Sequence, residues 1–189
     1  MSNLLISPHC DDESLFCAFT LCREAADIQV VVVFDGHIQA ARGEAVTWPE
    51  RRAETERALW ELGVKKDPIF LGYSDNAVSL LAIDNHMGHL STTLKPGDTV
   101  YFPWQEPGGH EQHNLIGSIC ESNFGRWEGV LMKHYLTYTR HGKSTGGKEV
   151  IPEPDWIILK LRALACYKSQ ITVANCREHF MRGLHEYYA

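Results

Sequence analysis

Apolar and polar positions along this chain follow two periods in turn, and the changes of period predict its elements. Leu4 to Ser7 reads as a short strand. Glu13 to Ala25 has a helical period, with Leu15, Phe16, Phe19 and Cys22 on one face. Ile28 to Phe34 is a near-continuous β-branched run, the pattern of a strand covered on both faces. Pro49 opens a helix in its first turn and Gly63 closes it, with Thr55, Ala58, Leu59 and Leu62 as its inward stripe. Ile69 to Leu71 is a short strand, and Val78 to Leu94 reads as mostly helical. Thr99 to Phe102 is the next strand, followed by a helix from about His113 to Asn123 and an alternating strand from Val130 to Tyr138. Arg140 to Gly147 is a polar, glycine-rich turn or loop. After the break at Pro152-Glu153-Pro154, Asp155 to Gln170 reads as strand first and helix later.

Strands and helices therefore alternate, with no internal repeat. This rhythm predicts an α/β chain folded as a three-layer sandwich with a parallel sheet and right-handed crossovers. At 189 residues it is read as one domain spanning 1–189, long enough to bury a full core. No apolar run approaches a membrane span and no basic-then-apolar leader opens the chain, so a cytoplasmic protein without a membrane partner is expected. The formal charge of −6, with no long Lys/Arg tract, argues against nucleic acid as the main partner. The six cysteines form no C-x-x-C pair, so most are expected to fill the core. Cys10 differs because it adjoins His9, where a thiol at a site edge could be oxidised. Composition leaves a homo-oligomer open.

Two polar clusters interrupt the pattern where chemistry is expected. Pro8-His9-Cys10-Asp11-Asp12-Glu13 crowds an imidazole and three acids into the first strand-to-helix turn. In open α/β sheets such turns lie at the carboxyl ends of the strands, where ligands bind. His9 and Asp12 have the spacing to hold one metal ion, and Asp11 between them keeps a free carboxylate to act as a base. Pro107-Gly108-Gly109-His110-Glu111-Gln112-His113 follows the Val100 to Phe102 strand. His110 and His113 share one face if a helix starts there, so one can complete the ligand set and the other remain free. Two His and one carboxylate with an open position is a catalytic zinc arrangement. The plain alternatives are that the acids merely cap a helix and that the histidines are loop residues.

At these residues the chain resembles the LmbE-like (PIG-L) N-deacetylases. Residues 8–13 are similar to that family's P-H-x-D-D-E motif, and His110 to His113 to its H-x-D-H motif. Arg51, Glu54, Ala58 and Leu62-Gly63 resemble its R-x-x-E helix ending in L-G. Phe70 to Asp75 resembles its F-L-G-x-x-D strand end, and Lys160, Ala163 and Ser169-Gln170 its late helix. The resemblance implies a Rossmann-like fold holding one zinc ion that hydrolyses N-acetyl groups on amino sugars or sugar conjugates. It implies His9, Asp12 and His113 as metal ligands, Asp11 as general base, and His110 as acid or oxyanion donor. Three positions depart from the pattern: Gln112 stands where the family has Asp, Cys10 where it has Pro, and His37 where a Glu is common. The family Asp is thought to tune the catalytic His, so Gln112 is expected to bear on the ionisation of His110.

Arg51 continues the inward side of its helix and is the candidate for substrate contact, weighed against a simple pair with Glu54. Trp48, Tyr73 and Trp104 lie near strand ends where a ring could stack on a sugar. Specificity is assigned to the Gly36 to Trp48 and Arg140 to Gly147 segments. Two other functions share these features. A metal-dependent phosphoesterase would more often need a second metal and basic clamps. A catalytically weakened sugar-binding protein of the same fold would account for Gln112.

Overall fold

The computed structural model describes residues 3–36, 46–75, 78–139, 142–143, 147–171 and 184–189. Strand β1 (Asn3–Ser7) is followed by α1 (Asp12–Phe16) and α2 (Ala18–Glu24), then β2 (Ile28–Phe34), α3 (Trp48–Glu61), β3 (Ile69–Tyr73) and α4 (Leu80–Ser91). The second half runs β4 (Thr99–Pro103), α5 (Glu111–Phe124), β5 (Leu131–Tyr135), β6 (Tyr138–Thr139), β7 (Gly142–Lys143), β8 (Lys148–Glu149), α6 (Pro154–Leu164), α7 (Lys168–Ile171) and β9 (Tyr187–Tyr188). Strands β1 to β5 pair in parallel in the order β3-β2-β1-β4-β5, and β9 and β8 extend the sheet antiparallel beyond β5. The molecule is the expected α/β, Rossmann-like sandwich with a mostly parallel sheet. Among the described residues no helix is long and apolar enough to cross a membrane.

Helices cover the sheet on both faces, which explains why β2 carries no polar side. Val30 and Val32 pack with Leu15, Ala58, Leu59 and Ala163 on one face. Val31 and Val33 pack with Ile83, Met87, Ile116 and Cys120 on the other. The one-residue alternation of β2 thus feeds two cores at once.

The predicted helix from Glu13 to Ala25 is broken at Cys17, whose backbone (φ −135°, ψ 12°) leaves the helical basin. A break orphans backbone groups, which must be paired if buried. Glu186 accepts the Phe19 N–H at 3.0 and 3.1 Å, and the Lys160 ammonium donates to the Leu15 carbonyl at 2.9 Å. Lys160 and Glu186, both fully buried, also pair with each other at 2.7 Å. Two residues more than 140 positions downstream of the break therefore end one helix and start the next. That information is invisible to local periodicity.

Two further boundaries differ. Residues 155–170 do not begin as a strand: Pro154 starts α6 directly, and Lys160, Ala163 and Leu164 form its inward stripe. The predicted strand over 130–138 divides after Tyr135, where Leu136 N–H turns to the Tyr187 carbonyl at 2.9 Å. Residues 37–45 and most of 140–147, to which specificity was assigned, lie outside the described residues, as do His37 and His141.

Candidate metal centre

The strand order reverses between β1 and β4, because the chain runs outward from β1 to β3 and returns to β1's other side. This is the switch point where open α/β sheets bind ligands. The residues after β1 and the residues after β4 meet there, so segments about a hundred positions apart in sequence become neighbours. Gly117 helps seat the second segment: a Cβ on it would lie 2.5 Å from the Pro103 carbonyl oxygen, so glycine lets α5 press against the end of β4. His113 is one turn earlier on α5 and fully buried; His110 is the residue that caps the helix.

His9 Nδ1, Asp12 Oδ2 and His113 Nε2 form a triangle with edges of 3.1, 3.0 and 3.2 Å. Among the described residues they are the one group of three or more such side chains able to hold a metal ion. Ligands about 2 Å from a tetrahedral ion stand about 3.3 Å from one another, so the triangle has the dimensions of one face of a coordination shell. The donor chemistry agrees. Three lone-pair donors facing one another at these distances require a cation among them, whether a proton or a metal. Burial works against charge on His9, yet Asp12 outweighs it and holds the imidazole above its usual pKa. Burial likewise opposes the Asp12 carboxylate, but His113 and His9 hold its pKa well below the carboxylate range.

Asp11 stays out of the triangle. Its Oδ2 takes a hydrogen bond from Arg51 Nη2 at 3.1 Å, and its pKa is raised, mainly by burial, against the opposing pull of Arg51. A carboxylate with raised affinity for protons, beside but outside the ligand set, is suited to accept one. Its backbone (φ 157°, ψ −25°) lies where residues with a Cβ are sparse. Glu13 holds it there. Fully buried, Glu13 accepts hydrogen bonds from the Asp11 N–H at 3.1 Å, Ser14 Oγ at 2.9 Å, Ser7 Oγ at 3.3 Å and the Tyr167 hydroxyl. Burial pushes its pKa up to about 7. Glu13 therefore braces the turn from within, a role the helix-cap reading did not foresee and for which Tyr167 left no sequence signal.

Arg51 is only 2% exposed. Besides Asp11 it donates to the Cys10 carbonyl, and it faces Glu54 at 3.5 Å. Glu54 in turn accepts the Ser169 N–H at 2.8 Å and its hydroxyl at 2.5 Å, which ties α3 to α7. The structure thus places Arg51 behind the general-base candidate, in a larger network than the Arg51–Glu54 pair expected as the alternative. Cys10 is fully buried and its thiol pKa is raised by that burial, so it is not an accessible reactive thiolate.

His110 lies with its ring centroid 5.3 Å from His9 and 4.8 Å from His113, and its Nδ1 is buried without a partner among the described residues. Burial and the two neighbouring imidazoles bring its pKa down to about 4. At neutral pH the ring is therefore uncharged and offers one N–H. The Gln112 amide is engaged elsewhere: Gln112 Oε1 is 2.7 Å from His9 Nε2. The expected Gln112–His110 relation is thus replaced by one with His9, because the first turn of α5 points residue 112 toward β1. Glu111 is exposed. Of the aromatic candidates, Trp104 is 40% exposed and packs on His134, Trp48 packs edge-on against Phe70, and Tyr73 against His86.

Residues 4–123 match the protein family described as GlcNAc-PI de-N-acetylase, PIG-L. No curated protein matches the chain. Among solved structures, N,N'-diacetylchitobiose deacetylase of Pyrococcus horikoshii, complexed with its inhibitor MPG, is similar with a TM-score of 0.75 and 19% identity over 100% of this chain and 82% of that one. A triple mutant of the deacetylase of the teicoplanin biosynthetic pathway is similar with a TM-score of 0.74 and 20% identity over 96% and 89%. GalB, the 4-carboxy-2-hydroxymuconate hydratase of Pseudomonas putida KT2440, is similar with a TM-score of 0.69 and 16% identity over 96% and 83%. At these identities the likeness is one of fold, and that fold carries more than one reaction.

Proposed function

Because the chain belongs to the GlcNAc-PI de-N-acetylase (PIG-L) family, we propose that it is a zinc-dependent hydrolase that removes the acetyl group from an N-acetylated amino sugar or sugar conjugate. The carrying observation is the convergence of His9, Asp12 and His113 from two strand ends, with Asp11 beside them and free of the ligand set. A zinc ion held by those three side chains would lower the pKa of a bound water to about 7 and polarise the acyl oxygen.

The remaining work falls to this chain's own groups. Asp11, with its raised pKa, takes a proton from the attacking water and returns it to the departing amine. Arg51 keeps that carboxylate in place and pulls its pKa down against the effect of burial. His110 offers a neutral N–H to the oxygen on which negative charge develops. Its depressed pKa favours the neutral ring over an imidazolium at neutral pH. A phosphoesterase reading finds less support, since Arg51, the buried cation at the site among the described residues, is already paired with Asp11. The engagement of Gln112 with His9 gives the amide a place beside the metal ligands, which supports a working site over a weakened one.

The test is acetate release from N-acetylglucosamine, N,N'-diacetylchitobiose and related N-acetyl sugars by the zinc-loaded protein. Activity should disappear on treatment with a chelator and return with zinc. Folded, zinc-loaded protein that releases no acetate from any of them would overturn the proposal. His110→Ala should lower kcat by about 10²- to 10³-fold, the loss typical of one oxyanion donor. Zinc affinity should be nearly unchanged, because His110 contributes no atom to the triangle. The kcat profile should show no limb from His110 in the neutral range, since the group is already deprotonated there. Metal loss as the main effect of His110→Ala would instead make it a ligand.

A further inference from the structure

Gln112 stands where the sequence pattern of the family has an acid, and its surroundings give the amide a task of its own. Its Nε2 is 2.7 Å from the backbone carbonyl of Asp75, just beyond β3, and its Oε1 is 2.7 Å from His9 Nε2. The direction of both hydrogen bonds follows from chemistry. A backbone carbonyl can only accept, so the amide nitrogen must face Asp75, and the amide oxygen must then face His9. An amide oxygen can only accept, so His9 Nε2 must carry a proton. In a neutral imidazole this leaves Nδ1 bare, and Nδ1 is the atom that faces Asp12 and His113.

We propose that Gln112 is a positioning residue that selects the Nε2–H tautomer of His9 and so presents Nδ1 as a ready metal ligand, with the Asp75 carbonyl fixing the orientation of the amide. The inference rests on the metal centre described above. It assigns to α5 a second contribution beyond His113: one residue supplies a ligand and the residue before it orients another. A carboxylic acid in its ionised form could accept from His9 but has no proton for the Asp75 carbonyl, so the amide fits this bridge and an ionised acid does not. The other ligand has no such support, since His113 Nδ1 is without a hydrogen-bond partner among the described residues. The ordering of the pair therefore depends on position 112, and through it the end of β3 is linked to a metal ligand on the far side of β2.

Two measurements that do not rely on turnover decide the matter. The first is nitrogen-15 NMR of the imidazoles in metal-free protein, at a pH high enough to keep His9 neutral. His9 should show a single tautomer, protonated at Nε2 and bare at Nδ1; an Nδ1–H tautomer or an equal mixture in the unmutated protein would overturn the proposal. The second is zinc affinity by chelator competition for the parent, Gln112→Leu and Gln112→Glu. Gln112→Leu should bind zinc about 10- to 100-fold more weakly, the usual effect of removing an outer-shell partner of a histidine ligand. Gln112→Glu keeps an acceptor for His9 and should lose less than Gln112→Leu. Affinity within about threefold of the parent in Gln112→Leu, against that 10- to 100-fold expectation, would overturn it too. Failure of the parent itself to bind zinc would sink the metal centre instead, and the tautomer measurement still reports on the Gln112–His9 bond, so the two failures are distinguishable.

Discussion

Asp11→Asn is expected to lower kcat by about 10²- to 10⁴-fold, the contribution of a positioned general base, while the protein keeps its full complement of zinc. Asparagine has nearly the same shape, can still accept from Arg51, and cannot take up a proton. The three ligand side chains are untouched, and Glu54 remains beside Arg51 at 3.5 Å, so the buried guanidinium keeps a counter-ion. Metal content by atomic absorption and acetate release measured on the same sample separate the two effects. Turnover within a few-fold of the parent at equal zinc content would show that Asp11 is not the proton acceptor.

Arg51→Met should destabilise the protein by about 3–5 kcal/mol, the cost of removing one partner from a buried ion pair. Asp11 and Glu54 would both lose the cation they share, and the Cys10 carbonyl its donor. Denaturant unfolding gives the value. The kinetic signature follows from the sign of the Asp11 shift: burial raises its pKa and Arg51 lowers it, so losing Arg51 moves the pKa further up. A base must be ionised to act, so the acid limb of the kcat profile should move to higher pH, with kcat reduced even on the plateau. KM should change less than kcat. A rise in KM with the pH profile unmoved would instead place Arg51 in contact with substrate, the role suggested by its place on the inward side of the helix.

Much of the site could be read before the fold was known, and the reasons are local. His9, Asp11 and Asp12 are within one turn of chain, so their shared location needs no tertiary information. His110 and His113 are three apart at a helix start, which puts them on one face. That the two groups meet follows from the βαβ rhythm alone, since a parallel sheet gathers the ends of its strands on one edge. The partners of these residues were another matter. The family pattern relates position 112 to His110, its neighbour in sequence, whereas the Gln112 amide bonds His9, more than a hundred positions away. Glu13 looked like a helix cap, yet it is fully buried beneath the turn and met by Tyr167 from the far end of the chain. Arg51 was set against its own helix neighbour Glu54, while Asp11 is its closer carboxylate partner.

The amino-acid sequence by itself determined the class of fold, the two polar turns and the residue types that can grip a metal. Those depend on period, on turn chemistry and on spacing over a few residues, all of which are local properties of the chain. The tertiary structure alone decided where the first helix breaks, which nitrogen of His9 faces Asp12 and His113, which way the pKa of His110 moves, and which carboxylate Arg51 serves. Each of these depends on what lies opposite a group across the core. Lys160 and Glu186 reach the broken helix only because α6 and the C-terminal strand pack beside it. The pKa of His110 is lowered because burial and two imidazoles surround it. Hydrogen bonding and desolvation act over a few ångströms in space, whatever the separation along the chain.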